Sequence, residues 1–158
     1  MKIRIIAVGK LKETYYTKAQ EEYLKRLKVY LKPEIIEVED LPCSEKVSVG
    51  QEDLVLKQEA AAIKSRISPK DYLITLDRRG QEMTSLQLAE FINQRAFFGE
   101  PLVFIIGGSL GLDEELLKTA KLNLSFSKLT FPHQMFRIML LEQIYRAVKI
   151  NRGEPYHK

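Results

Sequence analysis

A parallel α/β sheet with helices on both faces is the fold class the sequence predicts, and three observations predict it. Five short apolar runs recur, at residues 3–8, 35–38, 72–76, 102–106 and, more weakly, 122–126. Helical patterns lie between them, and alternation of strand and helix builds parallel sheets. The first, third and fourth runs are nearly continuous Ile, Val, Leu and Phe, as strands covered on both faces read.

Each element has its own signal. The first strand runs into Gly9-Lys10. Residues 13–30 then place Tyr16, Ala19, Tyr23, Leu27 and Tyr30 on one helical stripe, with Glu21/Lys25 and Glu22/Arg26 as i,i+4 pairs. A polar loop at 40–50, with Pro42, Ser44 and Ser48, separates the second strand from a helix at 51–67 that Ser68-Pro69 closes. After the third strand, Thr84-Ser85-Leu86-Gln87 reads as a capping box. The helix it opens stops at Gly99, before Pro101. Asp113-Glu114-Glu115 opens a short fourth helix. The last helix, 134–150, is apolar around most of its girth and leaves Glu142, Arg146 and Lys149 as one narrow polar stripe. Such a helix is buried on more than one side. Either it is central in the monomer, or a second copy covers part of it.

The 158 residues suit a single domain spanning 1–158. At 45% hydrophobic and 29% charged, the chain is neither a disordered tail nor a disulfide scaffold. No apolar run approaches the roughly 20 residues that cross a bilayer. Cys43 is the single cysteine, so zinc has no thiol cluster and no metal is expected. These features predict a cytoplasmic protein without a membrane partner. The net charge of +4 is uneven: residues 121–158 carry +5 and residues 1–120 carry −1. Charge alone fits a solvated basic helix as well as an anionic partner, nucleic acid first.

Three segments follow strand ends, where open α/β sheets bind ligands. They are Leu76-Asp77-Arg78-Arg79-Gly80, the glycine segment 105–112, and Ser125 through Gln134. The glycine segment is neither a Walker A loop nor a dinucleotide fingerprint. The acidic helix start behind it would repel phosphate, which predicts a ligand of low negative charge such as an adenosine without phosphates. Standing alone it would be a plain strand-to-helix turn. The third segment mixes Phe126, Leu129 and Phe131 with Ser127, Lys128 and Thr130. It can bury an aromatic base while backbone groups read its edge, or serve as a buried connection. His133 can cap or pack. The end of the chain, with Tyr156, His157 and Lys158, suits RNA through cation and ring, although termini commonly fray.

Taken together, several segments resemble the RlmH-type family of SPOUT methyltransferases, which act on N3 of a pseudouridine in large-subunit ribosomal RNA. They are Ala7-Val8-Gly9-Lys10, Ile105-Ile106-Gly107-Gly108 with Gly111, Leu124 through His133, Glu142 through Ala147, and Pro155-Tyr156-His157-Lys158. The resemblance covers the whole chain. It implies an α/β fold with a C-terminal trefoil knot, a homodimer, and S-adenosyl-L-methionine as methyl donor. The donor contacts it implies are Leu76, Gly107 and Phe126 through Phe131. The substrate it implies is a pseudouridine of 23S rRNA within the assembled ribosome.

The chemistry then requires removal of the N3 proton and stabilisation of the imide anion. His157, with histidine's ordinary pKa of about 6.5, is the candidate base. Arg137, Arg146 and Lys158 are candidate charge stabilisers, and Tyr156 could stack on the base. Arg146, Tyr156 and Lys158 would meet the RNA. The readings from other classes are a non-catalytic RNA-binding or ribosome-assembly factor and a flavodoxin-type nucleotide module.

Overall fold

The computed structural model describes residues 1–42 and 49–157. Cys43, Ser44, Ser48 and the expected RNA contact Lys158 lie outside the described residues. The elements are β1 (Lys2–Val8), α1 (Thr14–Leu27), β2 (Lys32–Val38), α2 (Val49–Lys64), β3 (Tyr72–Glu82), α3 (Ser85–Phe97), β4 (Leu102–Ile106), α4 (Glu114–Thr119), β5 (Leu122–Ser125) and α5 (His133–Asn151). Every strand pairing is parallel, in the order β2-β1-β4-β3-β5. The predicted fold class is the observed one.

Strand side chains alternate between faces, and the two apolar cores follow that alternation. Ile3, Ile5 and Ala7 of β1, with Leu102, Phe104 and Ile106 of β4, pack beneath α1, α3 and α5. Ile6 and Val8, with Val103 and Ile105, pack against α2 and α4. The continuous apolar runs therefore feed two cores.

Two strands differ from expectation. β2 starts at Lys32 and includes Pro33, which pairs with Ile3. A proline cannot donate to a ladder, and β2 tolerates it because it is the sheet edge. β3 does not stop at Leu76. It continues to Glu82, and its register against β5 jumps so that both Leu76 and Gln81 face Leu124. Residues 77–80 therefore bulge out of a strand rather than form a loop after one. The capping box is present: Gln87 N donates to Thr84 Oγ1 at 3.2 Å, and Thr84 N to Gln87 Oε1 at 2.8 Å.

α5 lies between α1 and α3 on the first core, with Leu140, Leu141, Ile144 and Ala147 buried. Most of its apolar girth is thus covered inside one chain. The remainder, with Met135, Ile138 and Met139, lines an apolar groove of 640 Å³ shared with Tyr15, Tyr16 and Ala19 of α1.

Candidate active site

A cleft of 940 Å³ opens at the bulge of β3 and the carboxyl ends of β4 and β5. All three segments singled out from sequence meet there. Its lining includes Leu76, Gly107, Phe126, Ser127, Leu129, Thr130 and Phe131. Of the expected donor contacts only Lys128 is not among the lining residues; it points to solvent.

The glycine segment closes on itself. Gly111 N donates to Gly108 O at 3.1 Å, and Gly111 holds φ +85°, a conformation that glycine adopts without strain. A methyl on Gly107 would lie 2.3 Å from the Gly111 carbonyl oxygen. The turn itself therefore demands glycine at position 107. Asp113 caps α4 by accepting from Leu116 N at 3.0 Å. The acidic helix start thus has a local cause. It also leaves the first-turn N–H groups less open to a phosphate. On the opposite wall, Phe136 packs against Phe126 at 4.9 Å and Phe131 at 6.3 Å between ring centres. His133, the first residue of α5, also lines the cleft.

The bulge of β3 forms the third wall. Gly80 admits no side chain, because a Cβ would meet Asn123 O at 2.5 Å. Ser125 Oγ lies 3.2 Å from Arg78 O and 3.1 Å from Ser127 O, tying the bulge to the aromatic loop. Asp77 accepts from Arg79 through backbone N at 2.7 Å and Nε at 3.2 Å. The Arg79 guanidinium beside Asp77 holds its carboxyl below the usual aspartate range, against the opposing pull of burial.

Arg137 does not line the cleft, which corrects its expected role as a substrate-facing charge. Its side chain is 1% exposed. Nη1 donates to Glu37 Oε1 at 2.5 Å and Nη2 to Gly9 O at 2.8 Å. The cation joins α5 to the carboxyl ends of β1 and β2, a structural tie.

The chain end is docked rather than frayed. Glu154 accepts from Lys149, from Arg152 Nε at 2.8 Å and from Tyr30 OH at 2.7 Å. These donors, Lys149 foremost, lower its carboxyl to about 2. Beyond it, Tyr156 stacks edge-on against Tyr145 at 4.9 Å and donates to Glu142 Oε1 at 3.2 Å. Burial first, then Tyr23 and Glu142, pushes the Tyr156 hydroxyl up to about 12. Arg146 donates to Glu142 through Nε at 3.0 Å and Nη2 at 2.6 Å, and lies 4.8 Å over the Tyr156 ring. Its Nη1 is 3.3 Å from His157 Nδ1. Guanidinium can only donate, so Nδ1 is the acceptor here.

Arg146, Tyr156 and His157 therefore form one cluster, with Glu142 at its hub. Sequence reading placed Glu142 on the polar stripe without a role. Its i,i+4 spacing to Arg146 was the available signal. None of the four residues lines the cleft. From Phe136, the last α5 residue lining the cleft, α5 advances six residues to Glu142 and ten to Arg146, ~9 and ~15 Å at the helical rise.

Among the described residues, no group of three or more His, Cys, Asp or Glu side chains could hold a metal ion. No helix of the described residues is long and apolar enough to cross a membrane.

The chain matches, over residues 1–157, a family model described as "Predicted SPOUT methyltransferase". Proteins named ribosomal RNA large subunit methyltransferase H, from Carboxydothermus hydrogenoformans and Desulfitobacterium hafniense, are 48% and 45% identical to it. Those alignments cover 100% of this chain and 100% and 99% of the relatives. Among solved structures, a methylase family protein from Neisseria gonorrhoeae superposes with TM-score 0.59 at 13% identity. That superposition covers 99% of this chain and 86% of the other, and at such identity it bears on the fold alone. With nearly half its residues shared with those relatives from end to end, the protein belongs to the SPOUT methyltransferase family.

Proposed function

We propose that the protein transfers a methyl group from S-adenosyl-L-methionine to N3 of a pseudouridine in 23S rRNA, within the assembled ribosome, and that it works as a homodimer. The observation that carries this reading is the meeting of the bulge, the glycine turn and the aromatic loop in one cleft. The relatives' printed name supports the RNA class of the substrate. The sequence resemblance to the RlmH-type family supports the finer assignment.

The cleft fits the donor. Its volume lies within the range of small-molecule sites. Leu76, Phe126 and Phe131 offer apolar surface to an adenine, and the backbone of 107–112 and 126–131 offers edge hydrogen bonds. When bound, S-adenosylmethionine supplies an electrophilic methyl on a sulfonium. The segments that hold it are those a C-terminal trefoil knot would bring side by side.

The protein's own chemical work falls to the tail cluster. A neutral imide is a poor nucleophile, so its proton must leave, and the resulting charge spreads onto two carbonyl oxygens. His157 takes the N3 proton, Arg146 and Lys158 face the developing charge, and Tyr156 stacks on the base. Arg137 serves by position, not by contact.

In its docked pose no residue of this cluster lines the cleft of its own chain. The tail is therefore proposed to leave that pose and serve the cleft of a second copy. Leaving its docked pose also frees His157 Nδ1 from Arg146. The apolar groove, with Tyr15 63% and Met135 38% exposed, is the surface proposed to meet the second copy.

Assembled ribosomes incubated with labelled S-adenosylmethionine, followed by mapping of the labelled base, test the assignment. Label at N3 of a single large-subunit pseudouridine is expected. Label on another base, or none while the donor binds, contradicts it; the second outcome favours a non-catalytic ribosome-binding factor.

A further inference from the structure

One guanidinium in the cleft wall serves two carboxylates. Arg79 Nη2 donates to Asp77 Oδ2 at 3.0 Å and to Glu114 Oε1 at 2.9 Å, joining the β3 bulge to the first turn of α4. Among the residues that line the cleft are the acids Asp53, Asp77, Asp113 and Glu114 and the bases Arg78 and Arg79. Asp53 is matched outside the cleft by Lys57 at 2.6 Å. That leaves Asp77, Asp113 and Glu114 beside two guanidiniums in the wall, with Lys57 and Lys118 close enough to Asp113 to act on it.

Asp77 is the cleft carboxylate that adjoins an expected donor contact and is not used to cap a helix. It follows Leu76 directly, and its side chain is 13% exposed while that of Arg79 is 60% exposed. Low exposure limits screening by water and salt. The bulge that carries it is fixed at Gly80 against Asn123 O and at Ser125 beneath Arg78 O.

Resting on the donor reading above, we propose that Asp77 is a specificity-determining residue through which the cleft favours the cationic donor over its neutral by-product. S-adenosylmethionine carries a sulfonium, an ammonium and a carboxylate, for a net charge of about +1 at neutral pH. S-adenosylhomocysteine has lost the sulfonium charge and is neutral overall. Methyl transfer removes the charge that the wall attracts, so the spent molecule leaves more readily than the donor. Arg79 holds Asp77 in place and moderates its field.

Calorimetric titration of three ligands tests this. They are S-adenosylmethionine, S-adenosylhomocysteine and sinefungin, an amine analogue that keeps the positive charge but has no transferable methyl. The parent protein is expected to prefer both cations. Asp77→Asn is expected to weaken both cations by about tenfold and S-adenosylhomocysteine by less than about twofold. Arg79→Gln, at an exposed position, is expected to raise the ratio of donor to by-product affinity by about threefold. A parent that binds donor and by-product equally overturns the inference. So does an Asp77→Asn protein that is folded and keeps the parent ratio. Should Asp77→Asn lose all three ligands through collapse of the bulge, Arg79→Gln decides, and a ratio that stays or falls overturns the inference. A parent that binds none of the three defeats the donor reading itself.

Discussion

A methyl at Gly107 would collide with the Gly111 carbonyl oxygen, so even alanine must displace the turn. We expect Gly107→Ala to cost about 1–3 kcal/mol of stability and to weaken donor binding at least about tenfold. Thermal unfolding and calorimetry measure the two effects, and a variant that binds as the parent does would show that the turn does not shape the cleft. Arg137 makes the opposite point about residue type. An arginine on a helix facing a candidate site reads from sequence as a substrate cation, yet here Glu37 and Gly9 O engage it in the interior. We expect Arg137→Met to lower stability by about 2–4 kcal/mol, because Glu37 and a buried carbonyl lose their partner. Denaturant titration reads that loss. An unchanged midpoint would show that the tie contributes nothing. Glycines and arginines disclose that a position is constrained; the atoms that constrain them come from distant segments.

At the scale of elements, the docked tail depends on the Glu154 carboxylate, held by Lys149, Arg152 and Tyr30. Its carboxyl is lowered to about 2, against about 4.3 for a free glutamate. A depressed carboxyl stabilises docking fully above its unfolded value and loses that contribution as pH falls through the folded one. Hydrogen-exchange protection at residues 154–157, taken relative to the intrinsic rate at each pH, should therefore fall between about pH 4 and pH 2. Glu154→Gln should show fast exchange already at neutral pH. Protection that stays constant across that pH range in the parent would show that Glu154 does not hold the tail. The same elements show what was legible in advance. The five strands and five helices of the described residues were readable, because apolar periodicity and the Thr84 box are local signals. The β3 bulge was not, because Asp77-Arg78-Arg79-Gly80 has loop composition and only pairing with β5 makes it part of a strand. The three walls of the cleft were legible as segments following strand ends. The docking of the tail was not, since it rests on Tyr30, Tyr23 and Glu142, far away in sequence.

At the scale of the whole molecule, the cleft and the tail cluster occupy different stretches of α5, and a second copy is proposed to bring a tail to each cleft. The apolar groove beside Tyr15 and Met135 is where that copy would sit. Tyr15→Asp should therefore raise the dimer dissociation constant by at least about tenfold, read by sedimentation. A parent that sediments as a monomer at high concentration would refute the homodimer. The most direct measurement, made at donor concentrations far below the Kd of the cleft variant, mixes two proteins that are each defective alone. One carries Gly107→Ala in the cleft and an intact tail; the other lacks residues 156–158 and has an intact cleft. Random exchange of subunits makes about half the dimers mixed, each with one complete site. Methylation of ribosomes should then return to about one quarter of the parent rate per chain. If the mixture stays as inactive as its components while sedimentation shows that mixed dimers have formed, the tail does not act across the dimer, and the account is wrong at its centre.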